Sequence, residues 1–331
     1  MCSSDLDSRV RVFIRNKLIH FIVLMVAVSI FSFILLDLSP IDPVNAYLKQ
    51  TPVTEAQRAL LEQYWGVGQP ITTKIFNWFT NFIQGNLGNS LIFRKPVSDV
   101  IFEKFTASLV LMFLSWVISG ILGFVLGVLA GKNKGSLIDK AIRVYCYILQ
   151  SAPSFWIALL VLVVFSVELG WFPVGLGVPI GVSSSDVTVW QWLARLVLPT
   201  LTLSMVGVAP IALYTRNELL NVMSSDYILF AKSRGEHGWD LVERHGIRNI
   251  LLPALTLQFL NFSELFGGTV LVEQVFLYPG IGQTAVAAGL QSDVPLLLGI
   301  VVISAVFVFV GNLIADILYY FVDPRIKENE A

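Results

Sequence analysis

The sequence predicts an all-α integral membrane protein with six transmembrane helices, and three observations predict it. Hydrophobic residues make up 55% of the 331 residues and charged ones only 14%, and the mean hydropathy is +0.74, well outside the range of soluble domains. Apolar runs long enough to cross a hydrocarbon core of about 30 Å as helices recur along the chain. Lys and Arg gather in the polar segments between alternate runs, the pattern of loops that stay on the cytoplasmic side. A net charge of −1 and the lack of a basic tract with interleaved aromatics argue against nucleic acid as a partner.

Taken in order, residues 1–17 form a polar tail with Arg9, Arg11, Arg15 and Lys17, and residues 18–38 the first span. That run lacks a small-residue cleavage site, so it reads as a retained anchor rather than a signal peptide. Pro40 and Pro43 end it, and residues 39–106 form a long extramembrane loop. Within the loop Ile71, Ile75, Phe79, Phe82 and Ile83 recur at helical spacing beside Trp78, which predicts an interfacial amphipathic helix or a small packed subdomain.

The second span, 107–130, carries Gly123 and Gly127, with Gly131 at its end. Glycines four apart let a neighbouring helix approach closely. The basic loop 131–143 follows; its GVLAGKN stretch lacks the glycine spacing and the Ser or Thr of a phosphate-binding loop. The chain therefore holds no ATP through that motif. Pro153 is expected to kink the third span, 145–169, with Trp171 and Pro173 in the interfacial belt behind it. A Gly- and Ser-rich loop leads to the fourth span, 196–214, with Pro199 and Pro210 inside it. The fifth, 251–272, holds the residues least suited to a bilayer: Gln258, Asn261, Ser263 and Glu264. Glu264 either faces a watery pathway or pairs with another helix or subunit. The sixth, 294–322, precedes the tail 323–331, so 107–322 forms a five-helix core.

Inside that core, the polar loop 215–250 contains the stretch YILFAKSRGEHGWDLVERHGIRNILLP, residues 227–253. A short helix is expected over 227–234, with Ser224, Ser225 and Asp226 offering N-cap oxygens and Gly235 as the stop. A second helical stretch follows over 239–249, and Pro253 opens the next apolar run. Two short helices broken by one glycine make a compact knob; an ordinary basic loop is the plainer alternative.

At this stretch the chain resembles the permease subunits of binding-protein-dependent ABC importers, in the dipeptide, oligopeptide and nickel branch. Tyr227, Ala231, Lys232, Arg234 and Gly235 fit the first half of that family's coupling loop; Arg244, His245, Arg248, Asn249 and Pro253 fit the second. Asp42 and Pro43 match its turn after the first span, and Gly85, Leu87, Gly88 and Ser90 its Gly-x-Leu-Gly-x-Ser segment, continued by Pro96 and Val97. Gly267, Gly268, Val272 and Glu273 match a further motif, continued by Val275, Phe276, Pro279, Gly280 and Gly282. Asp323, Pro324 and Arg325 match at the end, so the likeness covers residues 15–325.

The resemblance implies a type I ABC importer permease fold in the cell's inner or cytoplasmic membrane, and the distribution of Lys and Arg by itself predicts that both termini and the knob are cytoplasmic. It implies a heterodimer with a second, similar permease, two cytosolic ATPase subunits that use ATP and magnesium, and an extracytoplasmic solute-binding protein. The cargo would be small peptides, peptide-like solutes or nickel chelates. No cofactor, metal ligand or catalytic residue is expected in this chain. Ala231 would allow close helix docking, Lys232 and Arg234 would pair with acidic groups on the ATPase, and His245, Arg248 and Asn249 would brace the knob.

Three other classes compete. A self-sufficient, ion-coupled secondary transporter usually shows inverted repeats and more intramembrane charge, and no clear repeat is visible here. A receptor-like scaffold has no need of a glycine-broken knob. For an enzyme, His20, His237 and His245 show no metal-ligand spacing, and no nucleophile motif is present.

Overall fold

The computed structural model describes residues 3–38, 44, 54–64, 68–175 and 188–322. The turn at Pro40, Asp42 and Pro43, residues 176–187, and the tail with Asp323, Pro324 and Arg325 lie outside them. The described chain is helical, apart from loops and an isolated bridge between Asn89 and Pro96. Four helices are long and apolar enough to cross a membrane: α1 (Ser3–Asp37), α4 (Val97–Lys132), α7 (Val189–Met223) and α13 (Val294–Val322). Two further helix pairs pass the same test only when joined across a break. Residues Leu137–Ser151 (α5) and Ser154–Glu168 meet at 106°, and Gly238–Leu260 meets Phe262–Phe276 (α11) at 48°. With each bent pair counted as one span, the described residues supply up to six.

The chain divides into two compact units, one of residues Met1–Thr106 with Thr284–Val310 and the other of Ala107–Gln283 with Gly311–Ala331. In the first unit, α1 starts at Ser3, well ahead of the expected span, because residues 3–17 contain no Gly or Pro to stop a helix. Among the described residues of the long loop are two short helices, α2 (Glu55–Tyr64) and α3 (Ile71–Ile83). The apolar pattern does not announce α2, although Thr54-x-x-Gln57 is a capping box: the Gln57 amide N–H donates to Thr54 Oγ1 at 3.3 Å, and the Thr54 N–H to Gln57 Oε1 at 3.2 Å. The expected amphipathic helix is α3, whose Trp78 stacks on Phe82 and meets Phe33 of α1 edge-on.

The Gly-x-Leu-Gly-x-Ser segment is held by a residue far away in sequence. Asp293, with no accessible surface, accepts from Ser90 Oγ at 2.6 Å and from the backbone N–H groups of Leu91 and Ile92 at 2.7 and 3.0 Å.

The second unit is built around α7, the most deeply buried of the four long helices. Its Thr202 and Ser204 hydroxyls donate to the carbonyls of Leu198 and Thr200, which lets polar side chains sit in a dry core. Packed on α7 are α5, α6 (Ser154–Leu162), α10 (Arg248–Leu260) and α11. The break before α6 corrects the expected kink. Pro153 restricts Ala152 to an extended conformation (φ −92°, ψ 133°) and itself becomes the N-cap of α6, so the helix stops and restarts in a new direction.

At the end of α11 the buried Glu273 carboxylate accepts from Ser108 Oγ at 2.5 Å and from the N–H groups of Gly282 and Gln283 at 2.8 and 3.1 Å. Those two donors belong to the first turn of α12 (Ile281–Leu290), so the carboxylate occupies a helix N-terminus. A side chain at Gly280 would collide with it. Beside it Tyr278 donates from its hydroxyl to the Ala107 carbonyl at 3.1 Å, and burial, with the charge of Glu273, pushes that phenol above its usual range.

Candidate functional site

The knob begins with α8 (Asp226–Ser233). Ser225 is its N-cap, but its hydroxyl donates backwards to the Val222 carbonyl at 2.6 Å instead of capping the helix, which corrects the expected cap. The helix ends on Gly235, at φ +91°. The Gly235 N–H donates to Lys232 O at 3.0 Å and the Glu236 N–H to Ala231 O at 3.2 Å, the paired bonds of a glycine-terminated helix. The second half differs from expectation. A short α9 (Gly238–Leu241) passes through a π-helical turn, Val242–Ile247, straight into α10. Pro253 therefore lies within α10 rather than opening a new element.

Ala231 does not face outward. It is 5% exposed and packs with Ile228 and Leu241 over Met223, closing the knob's own small core. The outer face of α8 carries Tyr227, Leu229, Phe230, Lys232 and Arg234, with Leu229 68% and Phe230 66% exposed. His245 and Asn249 lie inside a polar brace: His245 Nε2 meets Glu236 Oε2 at 2.9 Å, and Asn249 Nδ2 donates to His245 O at 2.6 Å and to the Tyr227 hydroxyl at 3.3 Å. Arg244 and Arg248 are exposed. The Lys132 ammonium sits 3.7 Å from the Trp239 ring centroid, a cation–π contact that ties the knob to the end of α4.

The glycine stripe of α4 meets α7. A Cβ on Gly123 would lie 2.8 Å from Ile211 Cβ, on Gly127 2.6 Å from the Ala212 carbonyl, and on Gly131 2.9 Å from Leu219 Cδ2.

A cavity of about 530 Å³ opens where both bent pairs break, and Gln258, Asn261 and Glu264 line it together with Trp116 and Gln150. Ser263 is not brought to it: its hydroxyl donates to Asn312 Oδ1. Gln258, 4% exposed, spends its amide on the wall, donating to the Trp116 carbonyl at 2.5 Å while the Trp116 indole N–H donates to the Gln258 carbonyl at 2.9 Å. Glu264 is exposed, and among the described residues it has no hydrogen bond or ion pair.

Two groups escape the sequence reading. Asp139 has no accessible surface, accepts from the Gly135 N–H at 2.9 Å and pairs with Arg216 near the end of α7. Asp316 lies within α13. The signal for each is a carboxylate beside or within an apolar run. Among the described residues no group of three His, Cys, Asp or Glu could hold a metal ion.

Residues 123–328 match the family described as the inner membrane component of binding-protein-dependent transport systems. The chain belongs to that family, and it is a multi-pass membrane protein. An oligopeptide transport system permease protein, AppB of Bacillus subtilis, is 34% identical over 317 residues, covering 95% of this chain and 99% of the relative. A putative peptide transport system permease of Brucella abortus is 34% identical over 315 residues, 95% of this chain and 98% of its own. A probable peptide ABC transporter permease of Sinorhizobium fredii is 33% identical over 317 residues, covering 96% and 99%. All are transport permeases.

Proposed function

We propose that this chain is the permease subunit of an ATP-driven importer that passes small peptides or peptide-like solutes from an external binding protein into the cytoplasm. The near full-length likeness to peptide permeases supports the cargo class. The observation that carries the coupling role is the outer face of α8, where Leu229 and Phe230 stand exposed beside Lys232 and Arg234 on a helix closed at its end by Gly235. An apolar pair flanked by cations suits a groove with an acidic rim. Two cytosolic ATPase subunits, using ATP and magnesium, would grip the knob there, and a second, similar permease would complete the pathway. Fifteen of the 22 Lys and Arg residues fall in the two terminal segments, the 131–143 loop and the knob with Arg216, which supports cytoplasmic termini and a cytoplasmic knob.

The test is ATP hydrolysis by the purified complex in lipid, with binding protein and candidate peptides, for wild type and for Phe230→Asp. Binding-protein-stimulated hydrolysis in wild type that is lost in Phe230→Asp, with the chain still inserted, is the expected outcome. Solute movement down an ion gradient with no ATPase attached would replace this reading with a secondary transporter.

A further inference from the structure

We propose that Glu264 is a cation-recognising subsite of the cavity and takes the protonated amino terminus of the cargo, an inference that rests on the peptide-permease reading above. Glu264 is the one ionisable group among the residues lining the cavity, and no Lys, Arg or His lines it. Leu203, Leu265 and Leu271 make much of the remaining wall. The Glu264 carboxylate is exposed to the cavity, and among the described residues the chain supplies no counter-charge for it. A cargo carrying an ammonium group supplies that counter-charge; an anionic or amine-blocked cargo does not.

A second group points to the same ligand. Asn261, one helical turn before Glu264, has a buried side-chain nitrogen with no hydrogen-bond partner among the described residues, and buried donors are normally satisfied. Asn261 at the bend and Glu264 in the first turn of α11 both line the cavity. The amino end of a peptide offers the matching set, an ammonium donor beside a carbonyl acceptor. Trp116 on the same wall adds an aromatic surface, which also favours a cation. Both helix breaks reach this cavity, and discontinuous helices are where membrane transporters place polar recognition groups.

The test uses the assembled complex without its binding protein, with tri-alanine and N-acetyl-tri-alanine as probes, read by saturation-transfer NMR, which detects weak binding. Wild type is expected to favour the free-amine peptide about tenfold, the scale of one charge-assisted hydrogen bond. Glu264→Gln, or Glu264→Ser as a second neutral variant, should bring the two peptides level by weakening the first, and Glu264→Asp should keep the preference. Equal binding of the two peptides by wild type, or an undiminished preference in the neutral variants, overturns the subsite. ATP-driven uptake of tri-alanine with the binding protein present is measured in parallel. Uptake without the preference leaves the peptide-permease reading standing and removes only the subsite; no uptake removes both.

Discussion

Arg216 closes both arms of its guanidinium on the Asp139 carboxylate, Nε to Oδ1 at 2.6 Å and Nη2 to Oδ2 at 2.9 Å. Arg143 approaches the same carboxylate at 3.3 Å. The pair joins the first turn of α5 to the last stretch of α7, from which the knob hangs. Removing one partner leaves a charge with little access to water. Because the pair lies just beneath the surface, Arg216→Gln should cost roughly 1–3 kcal/mol, short of a deep buried pair. The thermal midpoint of the detergent-purified chain reads it, and Asp139→Asn combined with Arg216→Gln should recover part of the loss.

Gly127 and Gly267 make a matched comparison. A methyl on Gly127 would meet the Ala212 carbonyl and Thr215 Cβ, both at 2.6 Å, whereas one on Gly267 meets nothing within 4 Å. Gly127→Ala should destabilise by about 1–3 kcal/mol through overpacking. Gly267→Ala should stay within about 0.5 kcal/mol of wild type. Thermal unfolding of the two variants side by side checks both.

Glu273→Gln keeps the size of the side chain and removes half of its acceptors. An amide N–H₂ would then face the N–H groups of Gly282 or Gln283, or the Ser108 hydroxyl. The expected cost is about 2–4 kcal/mol from lost charge-assisted bonds and an unmatched donor. Limited proteolysis between Leu277 and Gln283 should quicken in the variant. An unchanged cleavage rate would mean that the turn is held by other contacts.

Nothing lies within 4 Å of the place a Cβ on Gly235 would take, so substitution there acts through its φ of +91° alone. The effect should follow tolerance of left-handed backbone, with Asn mildest, Ala next and Val most severe. Peptide uptake is expected to fall in that order while the amount of chain in the membrane stays constant. Equal uptake by all three would separate the end of α8 from coupling.

Much of this architecture is legible in the sequence because its causes are local. Apolar runs of sufficient length mark the spans, Gly235 stops α8, and the glycines of α4 announce a close helix neighbour. What the sequence conceals is direction and distance. Pro153 reads equally as a kink or a break, and the outcome depends on how Ala152 packs. Ala231 signals that something packs closely there, but not that Leu241 is the residue that returns over it. Pairings such as Asp139 with Arg216 and Asp293 with Ser90 join residues 77 and 203 positions apart, and no local pattern connects them. Of the four polar residues in the fifth span, the bend at Asn261 decides which reach the cavity and sends Ser263 to Asn312.

The uninterrupted helical run from Gly238 to Leu260 has the proportions of a long lever arm. At 1.5 Å per residue such a rod is about 34 Å long, so a tilt of roughly 10° about the bend at Asn261 sweeps the knob through about 6 Å. The same tilt displaces Glu264, a few ångströms beyond the fulcrum, by about 1 Å. With α10 and α11 turning together, a broad stroke of the knob would arrive at Glu264 as a displacement about six times smaller.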